Sequence, residues 1–443
     1  MKKNLFGTDG IRGTVGQSPL TELDISFLGK AIARWAKDKY FDNSKVLIGN
    51  DTRESCDKIK EILKKGLSIF HFDIIDAQVI PTPAIVSIVK NSKLFDFALV
   101  ITASHNPYQH NGIKIIDAKI GKISAKDEEK ITELFYLEKN RDRKSSNLYE
   151  SEYYFDNAKD RYAYLVTQHF KKDLLKDLKI VLDCANGATY QAGPIIFEEL
   201  GANVVAINNW PNGQNINKNC GSLHPKDLQR AVIENQAHAG FGFDGDGDRI
   251  IAVNKDGGIK DGDDILAILA NHPKYRYEKM VAGTILTNYA IEPYLAKIGK
   301  KLIRTKVGDK FVLQTMAANN LSLGGEQSGH IILRDYLNCS DGIFSAIRLL
   351  ETVMITGNWQ MKSFEKCPQM MVNVPIKEKK NLDTSPFVQI ISDHKSMIKN
   401  GRIIIRYSGT ENLLRVMVEE QDKNAAEAIC SNLSNKLEKE LNS

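Results

Sequence analysis

The chain has 443 residues, of which 42% are hydrophobic and 26% charged, and its length predicts about three domains, each with its own core. Its 60 Lys and Arg exceed its 55 Asp and Glu by only five, and the excess is scattered along the sequence. Neither a nucleic acid nor a membrane surface is therefore an expected partner.

Membrane insertion and export are not expected either. The apolar run FALVI at 97–101 is far shorter than the roughly 20 residues that span a bilayer. The opening MKKNLFGTDGIRG lacks the apolar stretch of a secretory signal. The six cysteines are widely spaced, without a CxxC pair or a zinc-type Cys/His cluster. We therefore expect reduced thiols and a cytoplasmic location.

Short β-branched runs alternate with longer helical stretches over most of the chain, which is typical of sheets covered by helices. In the first block, Ser124 and the acidic residues after it predict the start of a helix. The hydrophilic stretch at 137–147 predicts a linker. The elements predicted in this block are strands at 45–51, 72–80 and 96–104, and helices at about 54–70 and 126–136.

The same order of elements restarts twice, which suggests duplication, although the letters show no fixed-period repeat. The runs that restart it are KIVLDCANGA, NVVAINN and HAGFGFD, and then VAGTIL, KLIRTKVG and LSLGGEQSGH. After Cys367, three strand-like runs and an Ala-rich helix predict a small α+β domain. The sequence thus predicts an α/β protein with three similar α/β domains, at 1–147, 148–254 and 255–366, and a smaller C-terminal α+β domain at 367–443.

The sharpest motif is DGDGDR, in which Asp244, Asp246 and Asp248 alternate with glycines between two strand-like runs. Because the glycines let the backbone fold tightly, these carboxylates can converge on one hard cation such as magnesium. A calcium EF-hand is excluded, since its glycine and glutamate positions hold Arg249 and Lys255. A plain acidic turn is the alternative. Three carboxylates overneutralise a divalent ion, so an adjacent arginine and an arriving phosphate would balance the cluster.

A second motif, ITASHNPYQHNGIKI at 101–115, follows a buried-looking strand and places Ser104 in a turn, where we expect an exposed, nucleophilic hydroxyl. It lacks the GxSxG context, which disfavours acyl transfer. Lys114 is a candidate proton carrier, because a lysine crowded by a cation and partly desolvated has a lowered pKa. The alternatives are an ordinary Ser-His-Asn-Pro turn and, for His105 and His110, solvated loop histidines.

Two further motifs are suited to a sugar and to a phosphate. GGEQSGH at 324–330 offers Glu326 and Ser328 to sugar hydroxyls or an amine. IRYSGTENLLRV at 405–416 predicts a phosphate-binding loop or, alternatively, a polar surface hairpin. The candidate ligands of this loop are Arg406, Ser408, Thr410, Asn412 and Arg415. Together the four motifs indicate that a phosphate is relocated within one substrate, with one site transferring it and another holding the far end.

At these motifs the chain resembles the α-D-phosphohexomutase superfamily along essentially its whole length. FGTDGIRG at 6–13, TKVGDKFV at 305–312 and GEQSGH at 325–330 are similar to the bacterial phosphoglucosamine mutases of that superfamily. The resemblance implies four domains around a central cleft. It also implies interconversion of glucosamine 6-phosphate and glucosamine 1-phosphate through a phosphoserine and a sugar 1,6-bisphosphate, on the route to UDP-N-acetylglucosamine and cell-wall precursors.

The resemblance further implies a role for each motif residue. One Mg²⁺ per chain would be held by phosphorylated Ser104, Asp244, Asp246 and Asp248. Transfer would be assisted by Arg12, Lys114 and Arg249. The substrate would be contacted by Arg249, Glu326, Ser328 and His330. The nonreacting phosphate would be held by Arg406, Ser408, Gly409, Thr410, Asn412 and Arg415.

Several alternatives stay open at this point. The phosphomannomutase/phosphoglucomutase enzymes share the chemistry and differ mainly in the sugar loops. A phosphatase would use the same serine and metal with water as the acceptor. A catalytically silent phosphosugar-binding protein would lack the serine or an aspartate, and none is missing. The oligomeric state and the first phosphorylation of Ser104 are not fixed by the sequence, and His110 stands where relatives commonly carry an acidic residue.

Overall fold

The computed structural model describes residues 4–7, 9–40, 44–70, 72–141, 152–408 and 412–442. The elements of the first unit are β1 (Ile11–Thr14), α1 (Glu22–Lys39), β2 (Lys45–Asn50), α2 (Cys56–Leu67), a 3₁₀ turn (Ser68–Phe70), β3 (Asp73–Val79), α3 (Thr82–Asn91), β4 (Phe97–Ile101), β5 (His110–Asp117), β6 (Gly121–Lys122), α4 (Ala125–Lys139) and β7 (Glu152–Tyr154). Its strands form one mixed sheet in the order β1-β5-β4-β2-β3-β7, with β6 beside β5.

The structure confirms the helix that was predicted after Ser124, and this helix extends into the predicted linker. Ser124 caps α4, since its side chain accepts a hydrogen bond from Asp127 N. The predicted linker at 137–147 is helical up to Lys139, and its residues 142–147 lie outside the described part of the chain.

The second unit follows with a five-stranded sheet. Its elements are α5 (Ala158–Thr167), β8 (Lys179–Asp183), α6 (Thr189–Glu199), β9 (Asn203–Ile207), a 3₁₀ turn (Gly221–Leu223), α7 (Lys226–Glu234), β10 (Ala239–Phe243), β11 (Ile250–Asn254) and β12 (Ile259–Lys260). The strand order is β12-β11-β10-β8-β9.

The third unit has a four-stranded sheet. Its elements are α8 (Gly262–Leu269), a 3₁₀ turn (Pro273–Tyr275), β13 (Met280–Thr284), α9 (Ile291–Lys297), β14 (Lys301–Thr305), α10 (Asp309–Ala318), β15 (Leu323–Gly325), β16 (Ile331–Leu333) and α11 (Gly342–Thr356). The strand order is β14-β13-β15-β16.

The three sheets share one topology. In each, a central strand pairs in parallel with two neighbours, and the second of these turns back into an antiparallel strand. The corresponding series are β3-β2-β4-β5, β9-β8-β10-β11 and β14-β13-β15-β16. This identity of order and direction supports the duplication that the sequence suggested.

The fourth unit is smaller and antiparallel. Its elements are β17 (Gln369–Pro375), α12 (Phe387–Lys395), β18 (Gly401–Tyr407), β19 (Leu413–Glu420) and α13 (Lys423–Asn442). The strand order is β17-β19-β18, and α13 packs on β17 and β19. The predicted fold class, three α/β domains and a C-terminal α+β domain, is confirmed. The domain boundaries stay predictions, and β7, which pairs with β3, places residues 152–154 on the first sheet.

Strand β4 shows why its sequence is apolar throughout. Phe97, Leu99 and Ile101 pack into a core that belongs to the first unit. Ala98 and Val100 face the other way, into a core shared with the second and third units. A strand buried on both faces has no polar side to alternate with. Among the described residues, every helix is too short or too polar to cross a membrane.

Candidate active site

Ser104 lies in the turn between β4 and β5 and is almost fully buried, with 1% of its surface exposed. This corrects the expectation of an exposed hydroxyl, since Gly245 and Asn217 of the second unit cover the turn. The φ of Ser104 is 53°, in the left-handed region that is uncommon for residues other than glycine. Its Oγ donates a hydrogen bond of 2.6 Å to Asp244 Oδ2. Both features fix where the hydroxyl points.

Three side chains hold the backbone around Ser104. Thr102 Oγ1 accepts from Ser104 N at 2.9 Å. Arg53 Nη2 and Asn217 Nδ2 both donate to Ser104 O, at 3.1 and 2.9 Å, and both also donate to Asn106 O. Arg53 and Asn217 were not predicted from the sequence. One feature of the sequence could have indicated Arg53, which comes just after β2. The carboxyl ends of adjacent parallel strands meet at one edge of a sheet, and Ser104 follows the neighbouring strand β4.

The acidic triplet lies in the turn between β10 and β11. Asp244, Asp246 and Asp248 are buried, and one oxygen of each lies within 4.8 Å of the others. Burial and the two neighbouring carboxylates raise the pKa of Asp244 to about 7. Asp246 Oδ1 is buried without a hydrogen-bond partner among the described residues. A buried group of three carboxylates with one oxygen unpartnered is able to bind a divalent metal ion.

Lys114 projects from β5 into the triplet and offsets part of its charge. Its Nζ lies 2.8 Å from Asp246 Oδ2, 2.9 Å from Asp248 Oδ2 and 2.8 Å from Asp9 Oδ2. Burial lowers the pKa of Lys114, but the three carboxylates raise it well above its usual range. The direction is opposite to the one expected from sequence, because a lysine among three carboxylates is stabilised in its charged form.

Arg12 reaches the same cluster from β1. Its Nη2 forms an ion pair with Asp9 Oδ2, the oxygen that also faces Lys114. In the antiparallel pairing of β1 with β5, Arg12 lies opposite Gly112, two residues before Lys114, so both basic side chains are on one face of the sheet. Asp9, which was not predicted, therefore orders two of the predicted transfer residues.

Glu326 and His330 lie in or beside the turn between β15 and β16, and His330 contacts the loop of the acidic triplet. His330 Nδ1 lies 2.9 Å from Glu326 Oε2, and its Nε2 lies 3.2 Å from Asp248 Oδ1 and 3.1 Å from Arg249 Nε. Burial lowers the pKa of His330, but Asp248 and Glu326 raise it to about 10. The turn between β15 and β16 and the loop of the acidic triplet are thus joined through one imidazole.

Glu326 and Ser328, the two predicted sugar contacts of this turn, differ in exposure. Glu326 Oε1 accepts from Gly308 N at 2.8 Å, just before α10, so both of its oxygens have partners inside the protein. Ser328, two residues further, is exposed. Ser328 is therefore accessible to a ligand. Glu326 would have to give up its hydrogen bond with Gly308 or with His330 before it could bind one.

The predicted phosphate-binding loop joins β18 to β19. Arg406 and Arg415 are direct partners across these antiparallel strands, and burial together with Arg415 lowers the pKa of Arg406. Two adjacent guanidinium groups favour an anion between them. Ser408 is buried and Asn412 is exposed. Two of the candidate ligands lie outside the described residues, namely Gly409 and Thr410. Convergence of this loop on the serine stays a prediction.

The three α/β units contribute their site residues from equivalent positions. Ser104 follows β4, the acidic triplet follows β10, and Glu326 follows β15. In each unit this is the turn from the third strand of the shared topology to its antiparallel fourth strand. The repeated fold therefore brings Ser104, the acidic triplet and Glu326 together, each from the same edge of its sheet.

Models of one known protein family match nearly the whole chain. Models of the phosphoglucomutase/phosphomannomutase family match in order: α/β/α domain I over residues 3–142, α/β/α domain II over 152–258, α/β/α domain III over 261–369, and the C-terminal domain over 371–436.

Individual proteins agree with the family models. The phosphoglucosamine mutase of Chlamydia caviae is 40% identical, covering 99% of this chain and 98% of that protein. The phosphoglucosamine mutase of Sulfurovum sp. is 38% identical, covering 96% and 97%.

Solved structures share the fold. A phosphoglucomutase/phosphomannomutase family protein from Burkholderia thailandensis matches with a TM-score of 0.78 at 21% identity, covering 99% of this chain and 98% of that one. The Aspergillus fumigatus N-acetylphosphoglucosamine mutase in complex with GlcNAc-6P and magnesium matches with a TM-score of 0.68 at 17% identity, covering 99% and 96%. The chain belongs to the phosphoglucosamine mutases of the phosphoglucomutase/phosphomannomutase family.

Proposed function

We propose that this protein interconverts glucosamine 6-phosphate and glucosamine 1-phosphate through a phosphorylated Ser104. The observation that carries the proposal is the contact of Ser104 Oγ with Asp244, beside a triplet of carboxylates that Lys114 bridges. Relatives that match almost end to end bear the name phosphoglucosamine mutase, which supports the choice of sugar.

The reaction consists of two transfers. In the first, the bond from phosphorus to the Ser104 oxygen breaks and a bond to O1 of glucosamine 6-phosphate forms, which gives the 1,6-bisphosphate. The bisphosphate then turns, and its 6-phosphoryl group passes to Ser104, which leaves glucosamine 1-phosphate. In each transfer the leaving oxygen gains a proton and the attacking hydroxyl loses one. We assign both steps to Lys114: its charged ammonium donates a proton to the leaving oxygen, and the neutral amine then takes the proton of the attacking hydroxyl.

The remaining residues bind and orient. Asp244, Asp246 and Asp248, with an oxygen of phosphoserine 104, would hold one Mg²⁺, which when bound neutralises charge on the phosphoryl group. The transferring phosphate is assigned to Arg12 and Arg249. The sugar is assigned to Glu326, Ser328 and His330. The nonreacting phosphate is assigned to Arg406, Ser408, Gly409, Thr410, Asn412 and Arg415.

A mutase and a phosphatase differ in the group that accepts the phosphoryl group from Ser104. The relatives that match almost end to end bear the name phosphoglucosamine mutase, which favours the mutase. A mutase is expected to release inorganic phosphate only in traces, whereas steady release would favour the phosphatase. Six free, buried cysteines support a reducing compartment, and we propose the cytoplasm.

The test is a matched pair of serine variants. Ser104→Ala removes the phosphoryl acceptor and is expected to abolish formation of glucosamine 1-phosphate, followed by ³¹P NMR. Ser68→Ala removes another buried hydroxyl of the first unit, which donates to Lys65 O in the last turn of α2, and should retain activity. Mass spectrometry should find one phosphate on the peptide that contains Ser104. Normal turnover by Ser104→Ala would refute the proposal.

The choice of sugar has its own test. Turnover of glucosamine, glucose and mannose 6-phosphates is compared at equal concentrations. A preference for glucosamine supports the assignment, and a strong preference for mannose would reassign the protein to the phosphomannomutase/phosphoglucomutase branch of its family.

A further inference from the structure

A series of ion pairs, in which lysines alternate with carboxylates, connects the acidic triplet to the third unit. Lys114 Nζ lies 2.8 Å from Asp9 Oδ2. The other oxygen of that carboxylate, Asp9 Oδ1, lies 2.5 Å from Lys122 Nζ, and Lys122 Nζ lies 2.6 Å from Asp309 Oδ2. Only 15% of the Asp9 side chain, 20% of Lys122 and 8% of Asp309 are exposed, so these contacts are weakly screened by water.

The far end of this series belongs to the sugar-binding side of the cleft. Asp309 is the first residue of α10, and the residue before it, Gly308, donates its N–H to Glu326 Oε1 at 2.8 Å. Lys122 lies on β6 of the first unit. The ion pair of Lys122 with Asp309 therefore joins the unit that carries the serine to the segment that holds Glu326.

Lys122 also determines which groups each oxygen of Asp9 contacts. The two oxygens of Asp9 are divided, because Oδ1 faces Lys122 whereas Oδ2 faces Lys114 and Arg12. With Oδ1 occupied, the carboxylate cannot rotate away from the two transfer residues without losing its bond to Lys122.

We propose that Lys122 is a positioning residue for phosphoryl transfer, which holds Asp9, and through it Lys114 and Arg12, in register with the sugar-binding segment of the third unit. The inference rests on the proposed mutase function. Its consequence is that the arrangement of the transfer site depends on the placement of α10.

The chain offers a matched control for this inference. Lys310 Nζ pairs with Glu128 Oε1 at 2.9 Å, also between the third and first units, and its side chain is 20% exposed like that of Lys122. Its partner belongs to α4 and not to the series of ion pairs through Asp9. Lys122→Met and Lys310→Met thus each remove one ion pair across the same interface, and only the first touches Asp9.

The experiment measures kcat and KM for glucosamine 6-phosphate. Lys122→Met is expected to lower kcat about 10- to 100-fold with little change in KM, as for residues that orient a catalytic group. Lys310→Met should leave both near their original values. Lys122→Arg, which keeps a cation between Asp9 and Asp309, should recover most of kcat.

A further variant separates positioning from folding. Lys122→Met leaves Asp309 buried without this cation, so Lys122→Met/Asp309→Asn removes the unpaired charge as well and should restore thermal stability. A stable double variant that stays slow supports the proposal, and one as fast as Lys310→Met overturns it. If the unaltered chain showed no mutase activity, the proposed function would be refuted, and this inference with it.

Discussion

Ser104 Oγ donates a 2.6 Å hydrogen bond to Asp244 Oδ2, although the two residues are 140 positions apart. Their turns approach so closely because the residue after Asp244 is a glycine. A Cβ on Gly245 would lie 2.5 Å from Ser104 O and 2.8 Å from Asn217 Nδ2, shorter than any normal contact. The absence of a side chain at this one position lets the loop of the acidic triplet reach the serine.

We expect Gly245→Ala to push the two loops apart. Displacement of the reacting groups by about 1 Å can cost about 100-fold in rate, and the overpacking should lower the free energy of unfolding by about 1–3 kcal/mol. Steady-state kinetics and urea unfolding measure both effects. Gly193→Ala in α6 is the control, because its Cβ would meet nothing closer than 3.7 Å. Equal activity of the two variants would show that the close approach is not required.

Asn217 is expected to act on rate through the backbone of Ser104. Asn217→Gly removes the amide that donates to Ser104 O and Asn106 O, while glycine readily keeps the φ of 58°. Arg53 still donates to both carbonyls, so we expect kcat to fall about tenfold rather than to vanish. Asn219→Gly, at an exposed position with φ of 57°, is the control. An equal effect in both variants would assign the loss to backbone flexibility.

Magnesium is expected to stabilise the folded chain through the acidic triplet. A ligand that binds only the folded state adds about 2.7 kcal/mol at 100 times its Kd, so addition of Mg²⁺ after chelation should raise the Tm. Asp246→Asn removes one of the three carboxylates and should reduce this shift. Asp256→Asn, at an exposed carboxylate, should retain it. If Asp246→Asn kept the full shift, the ion would have to bind elsewhere.

Local patterns made part of this site predictable from sequence. The triplet was readable because its three carboxylates are spaced by glycines within one turn, and α4 because its cap is local. Asp9, Arg53 and Asn217 escaped prediction, since their partners lie far away in the chain and only the folded sheet edges bring them together.

Two physical expectations failed for the same reason. Ser104 was expected to be exposed and Lys114 to have a lowered pKa, because the sequence places each in a turn or strand without showing its neighbours. The second unit covers the serine, and Asp9 adds a third carboxylate to the lysine. Exposure and charge at this site are thus set by residues that lie far away in the sequence, some in the same unit and some in another.

Stability is expected to depend on pH through Asp341, the cap of α11. Burial raises its pKa to about 6, although hydrogen bonds from Phe344 N and Tyr162 Oη lower it. The folded carboxyl therefore binds a proton more tightly than the unfolded one, and the free energy of unfolding should fall as pH rises from about 4 to about 6, by up to about 1.4 kcal/mol per pH unit. Asp341→Asn cannot titrate and should remove this slope from urea-unfolding midpoints, whereas Asp256→Asn should keep it. An unchanged slope in Asp341→Asn would assign the pH dependence to other carboxyls.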